Sequence, residues 1–239
     1  MTSADSTLLK RAAALKALDF VQDGMKLGLG TGSTAEAFLE VLAPRLRGGL
    51  NVTSVATSER TAQKARSLGI PLAPLDQLAP LDLTVDGADE ADRSFNLIKG
   101  GGGALLREKI VAASSKRMVV IADASKLVRR LGRFPLPVEV AEFGHGSTAS
   151  RIAGATASLG YANVQIQLRQ QDGVPFKSDS GNVIYDCAFA SIKNAARLAA
   201  ALSAVPGVAE HGLFIGLATT LVIARTVDRV DLLERKPDA

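Results

Sequence analysis

The 239-residue chain predicts an α/β fold built on a parallel sheet, with a smaller α+β segment in its second half. Three observations carry that expectation. Between residues 26 and 123, short apolar runs alternate with helical patterns, and this alternation implies a parallel sheet with right-handed crossovers. Two of the runs end abruptly in glycine-rich or acidic loops, as strands do at the carboxyl edge of a sheet that carries a site. Past Gly132 the rhythm changes to strand, helix, strand, strand, helix.

In chain order, Ser6 to Val21 has apolar residues at helical spacing (Leu8, Leu9, Ala12, Leu15, Leu18) and predicts an amphipathic helix. Lys26–Leu29 is a short strand, and a glycine-rich turn leads into a helix from Ala35 to Leu46. Asn51–Ala56 alternates as a strand does. Ser58 is placed to cap a helix over Glu59–Leu68. Pro71, Pro74 and Pro80 punctuate the approach to a buried strand, Leu81–Val85. The stretch ALLREKIVAA is a good helix former, and Arg117–Ala122 is the next strand. Beyond Pro135 and Pro137 the pattern gives a helix over Ser147–Leu159, strands over Asn163–Leu168 and Asn182–Cys187, and a helix over Ile192–Ala201. Leu213–Ile223 is apolar again and is expected to return to the main sheet. The expected organisation is a main domain over 1–131, a small α+β subdomain over 132–207, and a return to the main domain over 208–239.

Composition narrows the classes of function. Hydrophobic residues make up 47% of the chain and aromatics only 4%, so Ala, Leu and Val must fill the core. The net charge of +4 comes from 28 basic and 24 acidic residues, dispersed along the chain. Dispersed charge argues against a nucleic-acid arm and suits a small anionic ligand. The single Cys187 excludes an internal disulfide framework and a Cys-rich zinc site. No apolar run is long enough to span a bilayer and no secretory signal is evident, so a soluble cytoplasmic protein with no membrane partner is expected.

Gly28 to Thr34 has the character of an anion cradle. Glycines let backbone N–H groups approach an oxyanion, Thr31, Ser33 and Thr34 add hydroxyls, and the helix that follows points its positive end at the site. A dinucleotide fingerprint needs a glycine where Ser33 stands and an acid roughly 20 residues further on, and a Walker A loop needs a lysine after Gly32. Neither is present, so the loop reads as a monophosphate site rather than one for NAD or ATP. The bland alternative is a tight strand-to-helix turn.

The second chemical stretch is LDLTVDGADEADRSFNLIKGGGGALLREK, from Leu81 to Lys109. Asp86, Asp89 and Glu90 follow a strand. Lys99 precedes Gly100, Gly101, Gly102 and Gly103, whose entropic cost suggests that a ligand or another backbone segment comes close. The carboxylates fit a solvated loop, a divalent-cation site or acid–base work, although the nearby lysine and loop donors oppose a cation. Glu108, about a turn and a half into its helix, has an ordinary reading as an exposed residue paired with a lysine. His145 and His211 are each flanked by Gly, stand isolated and form no metal or triad pattern, so both are expected in surface loops.

GLGTGSTA, TVDGADE, KGGGGALLREK, ADASK and FPLPVEV, in that order, resemble type A ribose-5-phosphate isomerase. The likeness extends from Leu9-Lys10 through DSGNVIYD to PGVAEHGLFIG. It implies a Rossmann-like main domain, a small α+β (ferredoxin-like) lid subdomain, homodimers or homotetramers, and no cofactor or metal. The implied reaction interconverts ribose 5-phosphate and ribulose 5-phosphate, within the non-oxidative pentose phosphate pathway. By the same resemblance Glu108 is the catalytic base. Asp86, Gly87, Ala88, Asp89, Lys99 and Gly100 to Gly102 line the sugar, and Thr31, Gly32, Ser33 and Thr34 hold the phosphate, with Lys10 and Lys126 as further contacts. The residue types suit an enediolate route, in which a carboxylate moves a proton between C1 and C2. Such a base needs burial to bring its pKa toward the working range. Lys99 and loop N–H groups then stabilise the oxyanion, and Asp86 or Asp89 assists ring opening. One departure stands near the C-terminus, where Val222 to Val230 lacks the family's Ile-Gly-Thr and Gly-Val turn. Competing readings are a sugar-phosphate sensor, an amino-sugar phosphate deaminase and a coenzyme A transferase.

Overall fold

The computed structural model describes residues 3–161 and 163–236. They form two compact units: one from the chain up to Ala88, Arg107–Leu127 and Gly216 onward, the other from Asp89–Leu106 and Val128–Ile215.

The first unit is a six-stranded sheet flanked by helices. Its strand order is Val230–Glu234, Thr220–Ala224, Met118–Asp123, Leu83–Asp86, Lys26–Leu29, Thr53–Ala56. All neighbours run parallel except the Val230–Glu234 edge, which returns antiparallel on Thr220–Ala224. Leu83–Asp86, Met118–Asp123 and Thr220–Ala224 are buried at every position, and in the last two this burial shows as unbroken apolar stretches, Val119–Ala122 and Leu221–Ala224, rather than alternation. The Ala-rich helix Ser3–Ala17 contributes Leu9, Ala13, Ala14 and Ala17 to a core with Leu27, Leu29, Phe38, Leu42, Val85 and Ile121. Lys26–Leu29 has Thr53–Ala56 on one side and Leu83–Asp86 on the other. The order reverses there, so the carboxyl ends of Lys26–Leu29 and Leu83–Asp86 flank the switch point of the sheet.

The second unit contains a four-stranded antiparallel sheet ordered Val208–His211, Leu136–Val140, Val183–Ala188, Gln165–Leu168. With helices His145–Ser158 and Ala195–Ser203 it makes a βαββαβ unit of the ferredoxin-like kind. One face of this sheet packs on an apolar core with its helices. Leu136, Val138, Val140, Val183, Tyr185 and Cys187 pack with Ile152, Leu198 and Leu202, while Asp186 points the other way by strand alternation. Burial pushes the Cys187 thiol up to about 12. A separate three-stranded sheet joins Leu213–Phe214, Leu97–Ile98 and Glu90–Ala91.

Three expectations change. The second unit also takes in Asp89–Leu106 and runs to Ile215, unlike the 132–207 segment read from the rhythm. The two-residue strands at Glu90 and Leu97 are too short for a periodic signal, and Leu213–Phe214, which pairs with Leu97–Ile98, lies more than a hundred residues away, so within the Leu213–Ile223 run the part that joins the main sheet starts at Thr220. His211 is buried rather than in a surface loop, with Leu213 N–H donating to Nδ1 at 3.2 Å and Ser203 Oγ 3.2 Å from Nε2. His145 opens a helix, its Nδ1 2.7 Å from the Tyr185 hydroxyl.

Candidate active site

In the first unit, Asp86 is the last residue of its strand and is fully buried. Its Oδ1 accepts the Gly87 N–H at 2.7 Å and the Thr31 N–H at 3.2 Å. A Cβ on Gly30 would lie 2.0 Å from that oxygen and 2.6 Å from the Asp86 Cα, so only glycine lets the two strand ends approach this closely. The carboxylate thus fixes the start of the cradle. Gly32 follows with φ 104° and ψ 171°, a region essentially reserved for glycine, and caps the helix Ser33–Arg47 without a side-chain hydrogen bond. The first-turn N–H groups of that helix are the donors an anion takes up. Ser33 is exposed there, and Gly32 and Thr34 are half-buried.

The Thr31 hydroxyl is turned inward. Its Oγ1 lies 2.8 Å from Thr57 Oγ1, 2.8 Å from Ser58 Oγ and 3.1 Å from Thr61 Oγ1. Thr57 and Thr61 in turn donate to the Leu29 and Gly30 carbonyls at 3.0 Å each. Ser58 also caps Glu59–Ser67 as expected, accepting from the Thr61 N–H at 3.1 Å. This hydroxyl cluster was not foreseen. The TSERT stretch held the signal, because the cap spacing places Thr61 beside Ser58.

Glu108 is buried, with 3% of its surface exposed. It sits on the helix Leu105–Ala113, three residues after Leu105 and three and four before Val111 and Ala112, all of them buried. Positions three and four apart share a helix face. One carboxylate therefore interrupts an otherwise apolar stripe, and the ordinary reading of Glu108 as an exposed surface residue does not hold. Gly28 explains why this helix lies so close to the sheet: a Cβ there would come within 2.6 Å of Val111 Cγ1 and 2.0 Å of Thr84 Oγ1. Lys126 closes the short turn Ala124–Lys126 after the Met118–Asp123 strand, and Lys10 lies half-buried on the first helix. Ala88 is half-buried at the end of this segment.

The second unit holds Asp89, Lys99 and the four glycines. Lys99 is buried, with its Nζ 5.5 Å from the Phe214 ring centroid, and its N–H donates to the Gly212 carbonyl at 2.9 Å. Asp89 Oδ2 accepts the Gly101 N–H at 2.8 Å. Gly103 N–H closes a turn on the Gly100 carbonyl at 3.0 Å, with φ +100° at Gly100 and +81° at Gly103. Gly101 and Gly102 are exposed. Glu90, the third acid of DGADE, is committed to structure: it is buried and accepts the Gly132 and Phe134 N–H groups at 2.7 and 2.8 Å. Arg169 donates to the Gly100 and Gly101 carbonyls, a contact not foreseen from the sequence. Among the described residues no three His, Cys, Asp or Glu side chains group as they do around a metal ion. A cavity of about 390 Å³ lies between Ala62, Leu72, Pro74 and Val111 and holds none of the expected site residues.

The family description "Ribose 5-phosphate isomerase A (phosphoriboisomerase A)" matches residues 53–227. A ribose-5-phosphate isomerase A from Parvibaculum lavamentivorans is 55% identical over 225 residues, covering 94% of this chain and 97% of the relative. The structure of ribose 5-phosphate isomerase from Plasmodium falciparum superimposes with a TM-score of 0.91 at 36% identity, over 97% of this chain and 100% of that one. A D-ribose-5-phosphate isomerase in complex with phospho-erythronic acid gives 0.87 at 36% identity, over 95% and 98%. A likeness of this extent in both sequence and fold places the chain in the ribose-5-phosphate isomerase A family.

Proposed function

We propose that the chain is an aldose–ketose isomerase that interconverts D-ribose 5-phosphate and D-ribulose 5-phosphate through an enediolate. The supporting relatives carry that activity in their names, and one related structure holds phospho-erythronic acid, a four-carbon sugar acid phosphate. The observation that carries the assignment of the base is the burial of Glu108 in an apolar helix stripe. An acid rarely occupies such a position without a task.

In the proposed route the Glu108 carboxylate takes the proton from C2 of the open-chain aldose. Negative charge develops on O1, and a double bond forms between C1 and C2. The hydroxyl proton then passes from O2 to O1, Glu108 returns its proton to C1, and the ketose results. Lys99, with glycine-loop N–H groups, stabilises the enediolate oxygens, while the Gly101 N–H is held by Asp89. Asp86 or Asp89 accepts or relays the ring hydroxyl proton when the furanose opens, with Gly87 and Ala88 lining the sugar. The Thr31–Thr34 loop holds the phosphate on the first-turn N–H groups of its helix. Thr31 contributes by anchoring the loop through its hydroxyl cluster, and Lys10 and Lys126 add positive charge for the same group. The reading also includes a homodimer or homotetramer working in the cytoplasm, to be checked by light scattering and fractionation. Its support is the family resemblance.

The decisive experiment is a coupled ribulose 5-phosphate assay on the wild-type protein and Glu108→Gln, each with and without a chelator. Glu108→Gln is expected to fold normally and to lose kcat by about 1,000-fold, within the range ascribed to a positioned acid–base group. Near-normal turnover in that variant defeats the assignment. A rate that drops on chelation defeats the metal-free route.

A further inference from the structure

The mechanism leaves one charged cluster of the second unit without a role. The Arg169 side chain is 14% exposed, and its guanidinium donates Nε to Asp186 Oδ2 at 2.9 Å and Nη2 to Asp186 Oδ1 at 2.6 Å. Its Nη1 reaches the carbonyls of Gly100 at 2.9 Å and Gly101 at 3.2 Å. The Arg169 carbonyl accepts the Phe176 N–H at 2.9 Å across the hairpin, which brings the Phe176 ring to 5.7 Å from the guanidinium carbon. The same ring abuts the glycine loop, since a Cβ on Gly103 would lie 2.4 Å from its Cζ.

We infer that Arg169, held by Asp186, is a positioning residue for the isomerase reaction: it sets the direction of the peptide groups of the Gly100–Gly102 loop. The inference rests on the reading that Lys99 and this loop contact the sugar. A glycine run has no side chains to pack and loses the most entropy on ordering, so it can be gripped only through its backbone. A trans peptide holds C=O and N–H antiparallel. Fixing the Gly100 and Gly101 carbonyls on one cation therefore fixes the directions of the Gly101 and Gly102 N–H groups. The Gly101 N–H is the one that meets Asp89. The planar fork of arginine suits this task because it serves a carboxylate and two carbonyls at once, whereas a lysine ammonium is a point charge. Asp186 balances that charge, so the grip adds no net positive charge beside the loop.

The test is steady-state kinetics with ribose 5-phosphate on the full chain, together with amide hydrogen exchange over residues 99–104. Arg169→Ala is expected to lose kcat by about 30-fold with KM changed by less than about threefold, the signature of a misaligned rather than an unbound substrate. Exchange at the loop should accelerate, methylguanidinium should restore part of the rate, and Arg169→Lys should not. If Arg169→Ala does not fold, Asp186→Asn carries the test, with an expected kcat loss of about fivefold. Parent-like kcat in a folded Arg169→Ala, or in Asp186→Asn when Arg169→Ala fails to fold, overturns the proposal. A kcat loss with unchanged loop exchange also overturns it. Lys99→Met separates the two levels. A fully active Lys99→Met removes the loop reading itself, whereas an inactive Lys99→Met beside a parent-like Arg169→Ala removes only the positioning role.

Discussion

The two glycine-rich loops of this protein solve the same problem in opposite ways. Gly28–Thr34, in the parallel-sheet unit, is held by acceptors and hydroxyls: Asp86 takes the Thr31 N–H, and Thr57 and Thr61 cover the Leu29 and Gly30 carbonyls. Gly100–Gly103, in the α+β unit, is held by a cation on its carbonyls and by Asp89 on one N–H. The crowding differs too. Beside Gly30 stand the Asp86 carboxylate and its Cα, while beside Gly103 stands the far end of a phenylalanine ring. A strand end cannot yield, but a ring can swing. A loop at the end of a buried strand is therefore fixed by the sheet itself, whereas a loop outside the parallel sheet needs a dedicated clamp.

The largest effect expected from this contrast is at Gly30. Gly30→Ala should destabilise the chain by about 3 kcal/mol, because overpacking against backbone has no soft escape, and the KM for ribose 5-phosphate should rise with it. Gly103→Ala should cost only about 1–2 kcal/mol for its left-handed backbone, and Phe176→Leu in that background should recover part of the loss. Urea denaturation of the three variants decides the matter, and equal costs at the two glycines would erase the distinction. Next comes Thr31→Val, which removes the shared hydroxyl of the four-member cluster. A loss of about 1–2 kcal/mol is expected from the buried partners left behind, with kcat unchanged, since the hydroxyl faces the protein. A large kcat effect would instead move that hydroxyl to the substrate.

The smallest effect concerns the strand that leads into the first loop. Asp82 accepts the Lys26 N–H at 2.9 Å and the Lys116 ammonium at 2.8 Å. The Lys116 hydrogen bond and then the Lys26 N–H hold its carboxyl below the usual range. A carboxylate lowered in the folded state contributes stability above its unfolded value of about 4, and that contribution fades as pH falls through the lower folded value. Asp82→Asn should therefore cost about 0.5 kcal/mol or less near neutrality, given the solvent screening of a partly exposed pair, and should flatten the decline in stability as pH falls below about 4. An unaltered acid limb would show that Asp82 contributes nothing to it.

Much of the scaffold is written in local pattern. The parallel strands reveal themselves as short apolar runs because burial on both faces demands them, and Ser58 announces its helix by capping chemistry. The phosphate-type loop is legible because glycine, hydroxyl and helix start lie within a few consecutive residues. Glu108 reads as a candidate base only through family resemblance. Its helix pattern alone fits a solvated surface just as well, and what distinguishes it is the close packing at Gly28 and Val111. The clamp was invisible for a different reason. Arg169 follows directly on the strand Gln165–Leu168, which pairs antiparallel with the strand that carries Asp186, and each lies far along the chain from Gly100. The short strands at Glu90 and Leu97, and Leu213–Phe214, which pairs with Leu97–Ile98, escaped for the same cause.

By itself, then, the amino-acid order determined the alternation of strands and helices, the glycines at the carboxyl edge and the set of chemical groups available to the reaction. All of these depend on neighbours within one turn or one strand. Only the tertiary structure decided which carboxylates are buried, which hydroxyls face inward and which cation grips the second loop. Burial and hydrogen-bond partnership are properties of segments brought together across tens of residues, and no local periodicity encodes which segments those are.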